Sequence, residues 1–383
     1  MTGPLDRERA RRVPPLLVGL ALLCIPSPDA FASESIRIGV GLTSSYTDNL
    51  LQYSDEQVRQ FTEGTAPTHY SIESIDDGVW RPALSLTWET EGSQGRGREI
   101  RLSGSGEFHA RNGTADFRSM GLAWRESFRG EGRLALSGSY IPSYYLRQLF
   151  DEDVPTGAGS RYRRADFSLL VGSVGWTQPL ADRVRGEISY RYEHRGYNDD
   201  FLERTSQTHQ GEAGVEWLRP RGGRLELHGG YRTSIAKADD MDNIANDDPD
   251  IGYHGLVAGV GGRLTILGHR RPRTGLYGSY EVARRSYGSQ VAGDVSHNGR
   301  EDTRQEIEVG VRGEPNARFT ARAFYRHEGN RANFPAGGGA ALNPGSYDEN
   351  QVGIALDWSA VLWQSQPTAV EGDDSEGVDG ARP

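Results

Sequence analysis

The stretch Gln351-Val352-Gly353-Ile354-Ala355-Leu356-Asp357-Trp358, near the end of the chain, decides how the rest of the sequence is interpreted. Its even-numbered positions are apolar, and its odd-numbered positions are small or polar. Successive side chains of a β-strand point to opposite faces, so this period of two predicts a strand with one apolar face. Taken alone, the stretch fits both a half-buried strand of a soluble β-sandwich and a strand that spans a membrane.

The same alternation recurs along the chain from Ile36 onward, and it predicts about 14 strands. The gaps between them alternate in length: 49–78, 143–164 and 328–346 are long and polar, whereas 91–97 and 179–182 are short. The Asn112-Gly113 hairpin is the one exception. Long extracellular loops alternating with short periplasmic turns are typical of transmembrane barrels, and a sandwich has no reason to sort its loops this way. The sequence therefore predicts an all-β fold, a closed antiparallel transmembrane β-barrel.

The average composition agrees with strands rather than helices as the membrane-spanning elements. Only 36% of the residues are hydrophobic, and the chain contains 50 glycines. A transmembrane helix needs about 20 consecutive apolar residues, and no such run follows the N-terminal region. In a barrel strand apolar residues alternate with polar ones, so the average hydrophobic content of the chain stays low.

Aromatic residues sort by type at the two ends of the predicted strands. Tryptophans end the strands that run toward the short turns, and tyrosines end those that run toward the long loops. Tryptophan and tyrosine are enriched where hydrocarbon meets water, and there they form such girdles. The predicted membrane-interface girdle consists of Trp88, Trp124, Trp176, Trp217, Trp358, Tyr140, Tyr192, Tyr231, Tyr280 and Tyr325.

The closing strand resembles the assembly signal of Gram-negative outer-membrane barrels. That signal reads polar-x-Gly-x-x-apolar-x-aromatic, and Gln351, Gly353, Leu356 and Trp358 match it place for place. The resemblance implies the barrel assembly machinery as a partner. It also implies the outer membrane of a Gram-negative bacterium as the location, with lipid and lipopolysaccharide around the barrel.

The N-terminal residues 1–32 have the pattern of a secretory signal peptide. Four arginines precede a short apolar core from Leu16 to Ile25, and Ala30-Phe31-Ala32 offers a small-x-small cleavage pattern. The single cysteine, Cys24, lies inside this signal, and the bulky Leu23 before it disfavours lipidation. Without that segment the chain has no cysteine, which excludes disulfides and Cys-based zinc sites.

The chain therefore divides into a signal peptide (1–32), a barrel domain (33–363) and a C-terminal tail (364–383). The tail is acidic and almost free of apolar residues, so we expect it to be disordered on the periplasmic side. The net charge of −10 argues against nucleic acid as a partner.

The strand faces opposite the apolar row are heavily charged, so a barrel would enclose a hydrated interior. Such ladders line channels and bias them between anions and cations. Alternatively, arginine and glutamate on neighbouring strands neutralise one another and brace the wall, which we favour for most of them. The predicted lumen-lining residues are Arg183, Arg185, Glu187, Arg191, Glu193, Arg224, Glu226, His228, Arg232, Glu306, Glu308, Arg318, Arg322 and Arg326.

A barrel of this size is wider than the eight-stranded barrels whose interior side chains fill themselves. We therefore expect loops 49–78, 143–164 and 328–346 to supply the constrictions. The resulting hypothesis is a monomeric channel for passive diffusion of small hydrophilic solutes, constricted by inward-folded loops.

Neither an enzyme site nor a cofactor is predicted. Outer-membrane phospholipases use a histidine and a serine two residues apart, but His327-Glu328-Gly329 has a glycine in place of that serine. The acidic stretch 239–250 carries oxygen ligands that suit calcium, but it lacks the glycine and terminal glutamate of an EF-hand loop. We interpret it as a solvated surface loop and predict no metal site.

The mouth of the first strand, Tyr46-Thr47-Asp48-Asn49-Leu50, resembles the opening of β-barrel porins that are found with exopolysaccharide genes. The length and the signal-then-barrel layout are also similar. The resemblance implies polysaccharide export as an alternative to passive diffusion. A third alternative is a structural or adhesive barrel that acts through its extracellular loops.

Overall fold

Fourteen antiparallel strands close on themselves in the part of the chain that the structure describes. This computed structural model describes residues 31–365 except 67–68, 93–95, 129–131, 152–160, 221, 238–251, 269–271, 289–297 and 335–344. The strands are β1 (Phe31–Thr47), β2 (Asp77–Gly92), β3 (Gly97–His109), β4 (Phe117–Ser127), β5 (Arg133–Phe150), β6 (Tyr162–Ala181), β7 (Val184–Tyr197), β8 (Ser206–Leu218), β9 (Arg224–Ala236), β10 (Tyr253–Leu267), β11 (Arg273–Tyr287), β12 (Glu301–Glu314), β13 (Phe319–Asn333) and β14 (Tyr347–Gln364).

Each strand pairs with the next along the chain, and β1 pairs with β14 to complete the circle. In that closing pair Val40 lies opposite Trp358, and Leu42 lies opposite Leu356. Closure leaves no sheet edge whose N–H and C=O groups would face lipid unpaired, which is the condition for strands to span a membrane. The predicted fold class is confirmed.

The two faces of the wall differ as the alternation predicts. Val352 and Ile354 are 51% and 54% exposed, whereas the flanking Gln351 and Ala355 are 5% and 2% exposed. Exposed apolar side chains recur on the outer face of the other strands, among them Leu84, Leu102, Ile188, Leu227, Leu256 and Val309. The wall therefore presents an apolar outer surface and encloses a polar interior.

Connections at one end are short and those at the other end are longer. The short turns are 93–96, 128–132, 182–183, 219–223, 268–272 and 315–318, and the other end carries 48–76, 110–116, 151–161, 198–205, 237–252, 288–300 and 334–346. This is the predicted sorting of loops.

The strand boundaries correct two of the predicted loops. Residues 143–150 and 162–164, predicted as loop, extend β5 and β6, and 328–333 extend β13. β14 likewise continues six residues beyond Trp358, to Gln364, and pairs there with the start of β1. Backbone pairing persists beyond the apolar band, whereas the hydrophobic alternation that marks a strand in the sequence ends with it.

Within the described ranges, no helix is long and apolar enough to cross a membrane. The α-helix of the described part is α1 (Asp55–Glu63), and it lies in the connection between β1 and β2.

An aromatic ring covers the glycine of the assembly-signal stretch. Phe324 lies opposite Gly353 across the β13–β14 pair. A Cβ atom at Gly353 would lie 2.6 Å from Cζ of Phe324 and 2.9 Å from the carbonyl oxygen of Ser44. Pairing an aromatic residue with a strand glycine pins register and restores the packing that the glycine lacks. Gly353 thus fits this position because it has no side chain.

This contact predicts a stability defect that a second substitution relieves. Because a methyl group at residue 353 overlaps both a ring and a backbone carbonyl, we expect Gly353→Ala to lower the free energy of unfolding by about 1–3 kcal/mol. Combining it with Phe324→Ala removes the ring clash, so the two losses should not add. Urea unfolding of refolded protein, followed by tryptophan fluorescence, measures both. Gly313→Ala is the matched control, because nothing lies within 4 Å of a Cβ there; equal effects at Gly353 and Gly313 would contradict this assignment.

Candidate lumen site

Residues 48–76, which we call the inward segment, leave the wall between β1 and β2 and fold across the barrel mouth. They contact β13 and β14 on one side and β5, β6 and the β3–β4 turn on the other. Of the three loops that the sequence predicts as constrictions, 49–78 is the one whose described residues fold inward.

The segment begins at a turn that is hydrogen-bonded to the closing strand. Asp48 accepts hydrogen bonds from the backbone N–H and the side-chain amide of Asn350, at 2.7 and 2.8 Å. Asn49, which is 6% exposed, donates from Nδ2 to the carbonyl oxygens of Tyr53 and Asp348. These residues belong to the motif Tyr46–Leu50 that resembles exopolysaccharide-associated porins. In the structure they turn the chain into the lumen.

Gln52 fastens the segment to the charged inner wall. Its Nε2 donates to Oε1 of Glu328 at 3.0 Å and to Oε2 of Glu349 at 3.1 Å. It is also the non-glycine residue with a positive φ, 54°, in the described part of the chain. A non-glycine residue in this left-handed region is uncommon and persists where surrounding contacts hold it. Here the contacts that hold it are the two lumen carboxylates.

Tyr53 and Tyr145 anchor the segment on the far side. Arg147 of β5 donates to the carbonyl oxygen of Leu51 at 2.9 Å, and its guanidinium lies 5.2 Å from the ring centre of Tyr53. The Tyr145 hydroxyl is 2.6 Å from Oγ of Ser71. The buried apolar cluster beneath consists of Leu51, Tyr53, Ile72, Ala115 and Tyr145. Full burial of a large apolar side chain contributes about 1.5–3 kcal/mol, so this cluster holds the segment firmly.

Asn112 clamps the end of the segment to the β3–β4 turn. Its Oδ1 accepts from the backbone N–H groups of Glu73 and Ser74, at 2.8 and 3.3 Å. Its Nδ2 donates to the carbonyl oxygen of Ser74 and to Asp77, at 3.0 and 2.8 Å. Sequence reasoning identified Asn112-Gly113 as a hairpin turn only. That Asn112 is 1% exposed and holds a second loop follows from the tertiary structure.

The helix within the segment had a sequence signal that the strand-based interpretation missed. Ser54 and Gln57 form a capping box: Oγ of Ser54 accepts from the Gln57 N–H, and Oε1 of Gln57 accepts from the Ser54 N–H. Gly64 ends the helix at φ 65°, where a residue without Cβ is favoured. A serine followed three residues later by glutamine is a recognised helix start.

Burial keeps the aromatic side of the segment uncharged. Desolvation raises the pKa of the Tyr53 hydroxyl and lowers the pKa of the His69 imidazole. His69 stacks on Tyr162 of β6, with ring centres 3.7 Å apart. Near neutral pH both groups are therefore uncharged, and the segment side of the cavity is lined by the neutral amides of Gln52 and Gln57.

A cavity of about 1740 Å³ remains between the inward segment and the inner faces of β4 to β13. Gln52 and Gln57 line it on the segment side. Nine arginines and five carboxylates line it in total, so positive groups exceed negative ones by four. The chain as a whole has a net charge of −10, so the sign of the cavity is opposite to that of the molecule.

Most of the predicted lumen residues occupy inward positions. Glu187, Arg191, Glu193, His228 and Arg232 line the large cavity, and Arg185, Arg224 and Glu226 line an adjacent one of about 590 Å³. Glu306, Glu308, Arg322 and Arg326 alternate along β12 and β13 with the exposed residues Ile307, Val309 and Tyr325. Arg183 and Arg318 lie instead in the turns 182–183 and 315–318 and are exposed, because β7 and β13 each begin one residue later.

A charge-balanced network joins β12 and β13. Arg304 donates to Glu328 at 2.7 Å, and Arg326 donates to both Glu306 and Glu328 at 2.9 Å. Glu328 is 3% exposed and also accepts from the Tyr347 hydroxyl at 2.5 Å. These contacts match the expectation that arginine and glutamate on neighbouring strands brace the wall. Glu328 was not among the predicted lumen residues; in the sequence it belongs to the stretch His327-Glu328-Gly329, which lacks the serine of a phospholipase site.

The predicted girdle and assembly-signal residues lie on the wall in their expected registers. Trp217, Trp358, Tyr231, Tyr280 and Tyr325 are exposed on the outer face, and Trp88, Trp124, Trp176, Tyr140 and Tyr192 are half-buried. Gln351 points inward and donates to Oγ of Ser45 at 3.0 Å. Their roles in membrane placement and assembly remain predictions.

Among the described residues, no group of three or more histidine, cysteine, aspartate or glutamate side chains is placed to hold a metal ion. The acidic stretch 239–250 lies outside the described residues.

Comparisons with known proteins give matches among solved structures only. No family model matches the chain, and no curated protein matches it. Among solved structures, a bacterial polysaccharide outer membrane secretin has a TM-score of 0.44 at 10% identity, covering 84% of this chain and 97% of that one. The anion-selective porin from Comamonas acidovorans has a TM-score of 0.38 at 7% identity, covering 86% and 100%. OprD of Pseudomonas aeruginosa has a TM-score of 0.37 at 10% identity, covering 88% and 100%.

The closed wall, the apolar outer face and the polar cavity together define the class of this protein. It is a closed, antiparallel transmembrane β-barrel with a polar interior.

The Asn112 clamp predicts a local defect. Asn112→Ala removes four hydrogen bonds worth about 0.5–1.5 kcal/mol each, so we expect the inward segment to detach more easily, by about 2–4 kcal/mol, within an intact barrel. Trypsin cleavage after the exposed Arg59 of α1 should accelerate at least about tenfold. Asn316→Ala is the control, because Asn316 accepts a single bond, from the Arg318 N–H in an exposed turn. Unchanged cleavage at Arg59 would show that Asn112 does not hold the segment.

Proposed function

We propose that this protein is a porin-like channel of the Gram-negative outer membrane, through which hydrophilic solutes diffuse passively. The observation that carries the proposal is the cavity of about 1740 Å³ left beside the inward segment. Its lining of arginine, glutamate, glutamine and serine side chains suits water and polar solutes.

The inward segment acts in this proposal as the constriction. It occupies part of the lumen and leaves the inner faces of β4 to β13 around the remaining space. Its attachments to Glu328 and Glu349, to Arg147 and to Asn112 fix it at both sides of the mouth. Because these contacts are numerous and partly buried, the channel has a fixed narrow section, and no moving lid is required to explain it.

A second candidate function, exopolysaccharide export, rests on the resemblance of Tyr46–Leu50 to porins found with exopolysaccharide genes. In the structure the polar residues of this motif form the turn at which the inward segment begins. A turn that starts a constricting segment is equally compatible with a diffusion channel and with an export channel. Passive diffusion therefore remains the primary proposal.

The proposal predicts conductance that the inward segment limits. Refolded protein in planar bilayers should show single-channel steps. Replacing α1 and its flanks (52–70) with a glycine–serine linker of equal length should raise the conductance severalfold, because it clears one side of the lumen.

The combined substitution Glu56→Gln and Arg59→Gln is the control for this experiment. These two residues form an exposed ion pair on α1, at 2.6 Å, and contact no wall residue in the described part of the chain, so the conductance should be unchanged. Absence of steps in folded wild-type protein would refute the channel. Equal conductance of wild type and linker variant would refute the constriction.

A further inference from the structure

Two of the arginines that face the cavity without a carboxylate partner among the described residues lie close to one another. Arg232 on β9 and Arg285 on β11 both line the large cavity. They flank the same residue of β10, because Gly255 lies opposite Arg232 on one side and opposite Arg285 on the other. Two strand spacings put their Cα atoms about 10 Å apart. We call these two residues the arginine pair.

Among the described residues, no carboxylate lies within salt-bridge distance of either member of the arginine pair. Arg232 donates from Nε to Oε1 of Gln210 at 2.5 Å. Nε of Arg285 is buried without a hydrogen-bond partner in the same part of the chain. This contrasts with Arg304 and Arg326, whose guanidiniums each reach carboxylates on a neighbouring strand.

The carboxylates nearest the arginine pair are already engaged by other side chains. Arg191 and Arg195 share one carboxylate, Glu193, at 3.5 and 2.7 Å. Glu212 is held through Gln210, whose amide donates to it. Glu187 and Glu281 also face the cavity, so four arginines and four glutamates line it along β7 to β11, but none of these glutamates lies within salt-bridge distance of Arg232 or Arg285. Guanidiniums that are drawn partly out of water attract a counter-charge strongly, because the local dielectric constant is lower than that of bulk solvent.

The geometry also prepares these arginines to bind. The Arg285 guanidinium lies 5.1 Å from the ring centre of Tyr253, and that of Arg195 lies 5.5 Å from the ring centre of Phe167. Stacking on an aromatic face orients the planar guanidinium and leaves its edge N–H groups free for a bidentate contact with a carboxylate.

Gly255 separates the two arginines without placing a side chain between them. A Cβ atom there would overlap the carbonyl oxygen of Arg284 on the neighbouring strand, so glycine is favoured at this position. The row therefore has an arginine, a glycine and an arginine, and both arginines line the cavity.

We propose that the arginine pair is a binding site for solutes that carry two carboxylates, one for each guanidinium. This deepens the proposed function and rests on it for the physiological role of the site, because it names the class of solute that the channel favours. The two guanidiniums without a carboxylate partner among the described residues select a dianion, and the spacing of the pair selects carboxylates at the two ends of a short chain.

The test compares three six-carbon compounds that differ in charge: glucitol, gluconate and glucarate, with none, one and two carboxylates. Isothermal titration of refolded protein in detergent should show binding that tightens in this order. Arg232→Gln combined with Arg285→Gln should weaken glucarate binding at least about tenfold, to the level of gluconate, because two charge-assisted contacts are lost. Lysine at both positions keeps the charges and should restore most of the affinity.

Arg284→Gln is the matched control. Arg284 precedes Arg285, but it lies on the outer face of β11 and pairs with Glu301 at 2.6 Å. The same loss of charge there should leave glucarate binding unchanged. Heat-modified migration in gels verifies that each variant forms a barrel.

Binding and conductance separate this inference from the channel itself. In bilayers under a KCl gradient, wild type should favour anions, and the double glutamine variant should lose that preference. Glucarate that binds wild type no more tightly than glucitol, or the double variant as tightly as wild type, would overturn the site even if conductance is observed. Charge-dependent binding in a protein without conductance would instead leave the site standing and overturn the channel.

Discussion

Backbone hydrogen bonding is the constraint on which the rest of this structure depends. In a bilayer an unpaired N–H or C=O group costs several kcal/mol, so a sheet can cross only if it closes on itself. Here closure is made between the first and last strands, where Val40 faces Trp358 and Leu42 faces Leu356. The outer rows of these strands are apolar and the inner rows small or polar. The same alternation therefore places apolar side chains against the membrane and small or polar side chains against water.

Closure creates a lumen that fourteen strands make too wide for wall side chains to fill. The inward segment occupies part of it, and its attachments explain an otherwise unfavourable arrangement. Glu306, Glu328 and Glu349 lie directly opposite one another on β12, β13 and β14. Like charges in such positions repel. Arg304 and Arg326 offset this repulsion, and the Gln52 amide bridges two of the three carboxylates.

The two sides of the lumen therefore differ in electrostatic state. On β12 to β14 arginine and glutamate satisfy one another and the segment that lies against them, so this side is structural. On β9 and β11, Arg232 and Arg285 have no carboxylate within salt-bridge distance among the described residues, and the open cavity lies before them. A solute entering the mouth therefore meets two guanidiniums on that side that no described carboxylate pairs. This asymmetry links the fold of one loop to the chemistry that the opposite wall offers.

The period-two alternation was enough to predict the number of strands, their order and their inner and outer faces, because side-chain direction in a strand depends on sequence parity alone. The strand ends were misplaced at 143–150 and 328–333, where pairing outlasts the apolar band. The odd or even position of a residue also predicts that Arg232 points inward. It does not distinguish Arg232 from Arg326, because both are charged residues at inward positions. Only the register of neighbouring strands decides that Arg326 meets Glu306 and Glu328 while Arg232 and Arg285 meet across Gly255. The same holds for Asn112 and Gln52, whose partners lie far along the chain and become neighbours only when the barrel closes.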